Sequence, residues 1–211
     1  MGKYVVFEGR EGCGKSTQIE LYYDALRKSD EKCMLVKEPD YESSIGKFIK
    51  LELVNTKRPL DTTSLQLLFV ASRFEQFAKV IIPKLKDGTT VISDRNWMST
   101  AAHMFAFAPP PYADIEWISN IHSKLPLPDA IFYISVPPDV AVERIKKRGN
   151  ALRRYDNLEN LKVLEKAYDA LSKKYKQIWH RINGNQEPDA VHREIMQVWE
   201  LLKKVEWNNR K

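Results

Sequence analysis

Apolar residues in this chain form short unbroken runs, separated by longer stretches where they recur every three or four positions. Tyr4 to Phe7, Cys33 to Val36, Thr90 to Ile92 and Ala130 to Val136 are such runs, bounded by glycine, proline or charge, the pattern of strands buried on both faces. Between them, Gln18 to Lys28 carries Ile19, Leu21, Tyr22, Ala25 and Leu26, and Leu65 to Leu85 carries Leu68, Phe69, Phe74, Phe77 and Ile81, which predicts two helices. Pro137, Pro138 and Asp139 open a further helix at Val140, and Gly149 offers a left-handed stop. The pattern then predicts a long helix over Leu158 to Tyr175, a last strand over Ile178 to Ile182 and a final helix over Pro188 to Lys204. Phe105 to Tyr112, with three consecutive prolines, reads as a loop. Alternating strands and helices predict an α/β fold: a mostly parallel five-stranded sheet with helices on both faces, in one domain over residues 1–211. In such a sheet ligands bind beyond the carboxyl ends of the strands.

Composition narrows the picture. With 211 residues, 43% hydrophobic and 29% charged, the chain can bury a core, which excludes a disordered or fibrous protein. No window of eighteen apolar residues free of charge occurs, so no membrane span is expected. Only Cys13 and Cys33 are present, which argues against a disulfide framework and for a cytoplasmic setting. The net charge of +6 calls for an anionic partner. Six of the cations fall within eleven residues, at Arg144, Lys146, Lys147, Arg148, Arg153 and Arg154. A basic stripe interleaved with aromatics would indicate nucleic acid; this single basic segment, despite Trp97, Phe105 and Phe107 elsewhere, makes a nucleic-acid-binding protein the weaker alternative.

The residues from Gly9 to Ser16, reading GREGCGKS, match the pattern GxxxxGK[ST], directly after the first strand and at the start of the first helix. Glycines let backbone N–H groups turn inward toward an anion, and the helix N-terminus adds partial positive charge. Lys15 would reach the terminal phosphates and Ser16 would ligate Mg²⁺. A nucleotide-binding protein that senses without turnover satisfies the same motif, and remains open at this point.

With that motif placed, Lys37 to Asp40 after the second strand, Leu67 to Arg73 on a helix, Ser93 to Asn96 after the third strand and Pro128 to Arg144 around the fourth form an ordered set. Together they resemble the thymidylate kinase family of P-loop nucleoside monophosphate kinases, across nearly the whole chain. The resemblance implies a P-loop NTPase fold with a short basic lid over residues 144–157, and transfer of the γ-phosphoryl group of ATP to dTMP with Mg²⁺ between the phosphates. It places ATP on Gly9, Arg10, Glu11, Gly12, Cys13, Gly14, Lys15, Ser16 and Thr17, with Asn185 in the turn facing adenine. It puts Asp94 near the metal and the acceptor phosphate, Arg95 on that phosphate, Glu38 and Pro39 at the wall of the acceptor pocket, Phe69 stacked on the pyrimidine and Arg73 on a base carbonyl. Ser99 and Thr100 fit the acceptor side, and Glu159 would meet the sugar hydroxyl. It also implies a homodimer formed by packed helices, one of them the Leu65 to Leu85 helix.

Some members of the family carry a catalytic arginine inside the phosphate loop, and others supply it from the lid. With Glu11 and Gly12 in the loop, this chain resembles the second kind, so Arg148, Arg153 and Arg154 are the lid candidates. The departures from the family lie on the acceptor side: Asn96, His103 and Met104 stand where tyrosine and a base-reading pair are usual, and Pro39, Asp40, Tyr41 replace a Pro-Gly-Gly turn. His103 is therefore a candidate for the base. An altered pocket that takes dUMP or a 5-substituted deoxyuridylate is the alternative to dTMP.

Overall fold

The computed structural model describes residues 1–55, 57–149 and 155–204. Five strands, β1 (Tyr4–Glu8), β2 (Cys33–Lys37), β3 (Thr90–Asp94), β4 (Ala130–Ser135) and β5 (Trp179–Asn183), form one sheet in the order β2-β3-β1-β4-β5. Every pairing is parallel, with Val5 opposite both Ile92 and Ala130. Parallel neighbours need crossovers, and helices supply them: α1 (Lys15–Lys28), α2 (Ser44–Val54), α3 (Thr62–Gln76), α4 (Ile82–Lys86), α5 (Trp97–Phe107), α6 (Ile115–Ile121), α7 (Pro138–Lys147), α8 (Leu158–Lys174) and α9 (Pro188–Lys204).

Strand alternation sorts the core into two layers. Phe7 and Phe132 meet Tyr22 of α1, which meets Trp199 of α9. On the opposite face Tyr4 meets Phe77, and Tyr133 meets Tyr168 of α8. All eight of these rings belong to buried residues. The second layer is completed by α5, which packs against α3, α6 and α8.

The predicted elements appear in their order, but α2, α5 and α6 are additional to them, and several edges differ. Polar residues hide the true helix starts: α3 begins at Thr62 because Asp61 caps it by accepting from Ser64 N at 3.0 Å, three residues before the first large apolar side chain. The Leu65 to Leu85 segment is not uniform, since a π turn over Phe77–Ile81 joins α3 to α4. Phe105 to Tyr112 is not all loop: Phe105 to Phe107 finish α5, and the irregular part follows at Ala108. Among the described residues no helix is long and apolar enough to cross a membrane.

Candidate active site

The crevice opens where the strand order reverses at β1, between the carboxyl ends of β3 and β4. There the chain leaves Glu8 and turns through Gly9, Gly12 and Gly14 into α1. Gly12 has φ 79°, and a Cβ there would lie 2.4 Å from the carbonyl oxygen of Ala141, so backbone freedom and close approach both demand glycine. Gly14, at φ 94°, sets the left-handed entry to α1.

A cavity of about 760 Å³ runs from this loop to α3 and α5. Its loop end is lined by residues 10–16, its middle by Asp94, Arg95 and Arg148, and its far end by Glu38, Pro39, Phe69, Arg73, Ser99, Thr100 and His103. Lys15 forms an ion pair with Asp94. Burial raises the Asp94 carboxyl, but Lys15 and Arg95 outweigh it and hold the group below its ordinary value. Arg95 has φ 74°, a left-handed conformation rare outside glycine and found where a site fixes the backbone. Its guanidinium donates to Ser99 Oγ at 3.0 Å and lies 3.8 Å from both Glu8 and Glu11. Burial works against its charge, yet Tyr168, Glu8, Asp94 and Glu11 overcome that and hold it firmly protonated.

Glu8, fully buried at the end of β1, organises this region. Its carboxylate accepts from the backbone N–H groups of Asn96 and Ser99 at 3.1 Å each, from Ser99 Oγ at 2.8 and 3.0 Å, and from the Tyr168 phenol at 3.1 Å. Neither Glu8 nor Tyr168 stands out in the sequence. A buried carboxylate at the end of an apolar strand was the one available signal.

At the far end Arg73 is ion-paired with Glu38, and donates to Thr100 Oγ1 at 3.3 Å. His122 donates Nδ1–H to the Ile118 carbonyl at 2.7 Å, which leaves Nε2 to accept from Arg73 at 3.1 Å. Burial, aided by Arg73, lowers His122 to about 4, so it is neutral. Its ring stacks on Trp97, 5.5 Å between centroids. Burial raises Glu38 above the usual carboxyl value against the pull of Arg73. His103 bonds Ser99 O at 2.7 Å and packs against Phe107 and Tyr155; burial lowers it to about 4.

Four expected site residues sit elsewhere. Thr17 lines a second cavity of about 330 Å³, with Gln18, Arg144, Gly184 and Gln186; Arg148 borders both cavities. Asn185 lies in the turn between Gly184 and Gln186, which line that cavity, but does not itself line it. Gly9 shapes the loop without lining either cavity. Glu159 is exposed on the first turn of α8 and lines neither; Tyr155 and Asp156, just before it, line the large one. Arg153 and Arg154 lie outside the described residues. Arg10 does line the large cavity, but its guanidinium bonds the Val136 and Leu161 carbonyls and Glu165.

The thymidylate kinase family model matches residues 7–195. Thymidylate kinase of Desulfotalea psychrophila is 35% identical over 205 residues, covering 96% of each chain. That of Arabidopsis thaliana is 34% identical over 197 residues, covering 93% of this chain and 70% of the relative. A solved structure of thymidylate kinase from Candida albicans superposes with a TM-score of 0.84 at 24% identity, over 96% of this chain and 92% of that one, a likeness of fold. A glycine-rich phosphate loop on a parallel sheet, an Asp–Arg pair at the end of β3 and a match over nearly the full length agree: the chain belongs to the thymidylate kinase family of P-loop nucleoside monophosphate kinases.

Proposed function

We propose that this chain transfers the γ-phosphoryl group of ATP to a deoxypyrimidine nucleoside monophosphate, dTMP giving dTDP. The observation that carries this reading is one continuous cavity joining the phosphate loop, the Asp94–Arg95 pair and the Phe69–Arg73 face of α3, in a chain of this family. Phosphoryl transfer asks little covalent chemistry of a protein; its rate comes from position and from cations placed where charge gathers.

The loop amides and Lys15 hold the donor phosphates. Arg95, kept charged by Tyr168 and the carboxylates of Glu8, Asp94 and Glu11, clamps the acceptor phosphate. Phe69, half-buried on the cavity wall, stacks on the pyrimidine, and Arg73, one turn along the same face, reads a base carbonyl. Arg148, bordering both cavities, closes on the transferred group, and Arg153 and Arg154 are proposed with it on the lid. The Ser16 hydroxyl and the ionised Asp94 carboxylate, lining the same cavity, are hard oxygen donors of the kind that suits Mg²⁺. Ser16 and Asp94 would hold the ion there, and it would supply positive charge to neutralise the phosphates.

A homodimer fits the exposed apolar side chains Phe48, Leu51 and Val54 of α2 beside Leu67 of α3, two helices packed together. A coupled assay of ADP formation across dTMP, dUMP, dCMP, dGMP and 5-hydroxymethyl-dUMP tests the proposal. dTMP is expected to lead. Comparable rates with purine acceptors would refute the roles of Phe69 and Arg73, and a faster rate with dUMP would move the substrate to the altered-pocket alternative.

A further inference from the structure

Arg10 occupies a position in the phosphate loop whose side chain need not touch nucleotide. Its side chain is 1% exposed. One guanidinium nitrogen donates to the carbonyl of Leu161 at 2.9 Å and to Glu165 at 3.3 Å, both on α8; the other donates to the carbonyl of Val136, between β4 and α7. Its own carbonyl accepts from Cys13 N at 3.4 Å and so closes the first turn of the loop. A single residue thus ties the loop to the start of α7 and to the second turn of α8. Those two helices carry residues that line the cavities, Leu161, Leu164 and Tyr168 on α8 and Arg144 on α7.

We infer that Arg10 is a positioning residue for phosphoryl transfer: its three-way bond holds the phosphate loop in register with α7 and α8, so that the loop amides and Lys15 share one cavity with Arg148, at the C-terminal end of α7, around the transferred group. The inference rests on the phosphotransferase reading above. A charge-only role is disfavoured by the geometry, because two of the three acceptors are backbone carbonyls on separate segments, and only a planar fork reaches both. Catalytic groups must be held within about 0.5 Å of productive geometry, and a misplacement of about 1 Å costs about a hundredfold in rate.

The test compares Arg10→Met, Arg10→Lys and Glu165→Gln with the wild type, measuring kcat, the KM values for ATP and dTMP, and thermal melting. Arg10→Met is expected to lower kcat by about tenfold to a hundredfold with the KM for dTMP within about twofold, since lost register weakens the transition state and not acceptor binding. Arg10→Lys keeps the charge beside Glu165 but lacks the fork, so it is expected to melt near the wild-type temperature and still lose most of that rate. Glu165→Gln keeps an acceptor for Arg10 and is expected to stay within about twofold in kcat. Should Arg10→Met not fold, the lysine variant decides. Wild-type kcat in Arg10→Lys, or a loss confined to KM, overturns the inference while leaving the enzyme reading intact. A wild-type chain that forms no ADP with any monophosphate overturns that reading first.

Discussion

The phenol of Tyr168, on α8, donates to the carboxylate of Glu8, at the end of β1, at 3.1 Å across 160 residues of sequence. The same carboxylate holds the first turn of α5 and faces Arg95 at 3.8 Å. Removing it would leave donors unsatisfied and an arginine short of a countercharge. Glu8→Ala is therefore expected to cost about 2–4 kcal/mol in urea unfolding, because buried partners of a lost charge carry the full desolvation penalty. Tyr168→Phe removes one donor of several and is expected to cost about 1 kcal/mol. Equal costs for the two would mean that the phenol, and not the carboxylate, organises the region.

Lys15 and Asp94 form an ion pair beside the phosphate loop. Lys15→Met is expected to lower kcat by about a thousandfold, the scale for loss of a preorganised cation at developing charge, while circular dichroism stays that of the wild type. Retention of more than a tenth of the rate would place the phosphate cation elsewhere.

Arg73 and Glu38 are both nearly inaccessible, at 2% side-chain exposure each. Arg73→Ala leaves the Glu38 carboxylate buried without its partner and is expected to destabilise by about 3–5 kcal/mol. Adding Glu38→Ala should restore part of that loss, a coupling that a double-mutant cycle reads directly. Strict additivity of the two would show that the pair does not couple in solution.

His122 takes up a proton only near pH 4 in the fold, against about 6.5 for a free histidine. Between those values the unfolded chain binds more protons, so the stability this group contributes is complete above pH 6.5 and drains away as the pH falls toward 4. The contribution is on the order of 3 kcal/mol. His103, lowered to a similar value, acts in the same direction. Melting temperature is expected to fall from pH 7 to pH 4.5, and His122→Gln to flatten that slope. An unchanged slope in the variant would assign the loss to other groups.

Much of this architecture is legible in local pattern. The strand runs, the phosphate loop and the Asp94–Arg95 pair each carry their own signature within a few residues, and all of them meet at one cavity. What is not legible depends on distant chain. The seat of Glu8 among α5 and α8, the neutral His122 behind Arg73 and the turn of Arg10 away from the cradle all arise from residues more than 45 positions apart. Helices α2, α5 and α6 are not among the elements the apolar pattern predicts; in α2, Phe48, Leu51 and Val54 lie on an exposed face, so no inward stripe marks it. Glu159 points to solvent from the first turn of α8, whereas Asp156, before the helix begins, lines the cavity wall.

The strand order has a consequence for how the protein is made. Of the five strands of this sheet β1 comes first in the chain, yet it does not pair with β2; its neighbours are β3 and β4, from Thr90 and Ala130 onward. Until those segments emerge, Tyr4, Val5, Val6 and Phe7 have neither ladder partners nor the far layer to cover them. The nascent chain must therefore carry an unpaired, aggregation-prone apolar strand until residues beyond Ala130 have emerged. The phosphate loop leans on the same late segments, since Gly9 and Gly12 pack against the carbonyls of Ile134 and Ala141 and Arg10 donates to that of Val136.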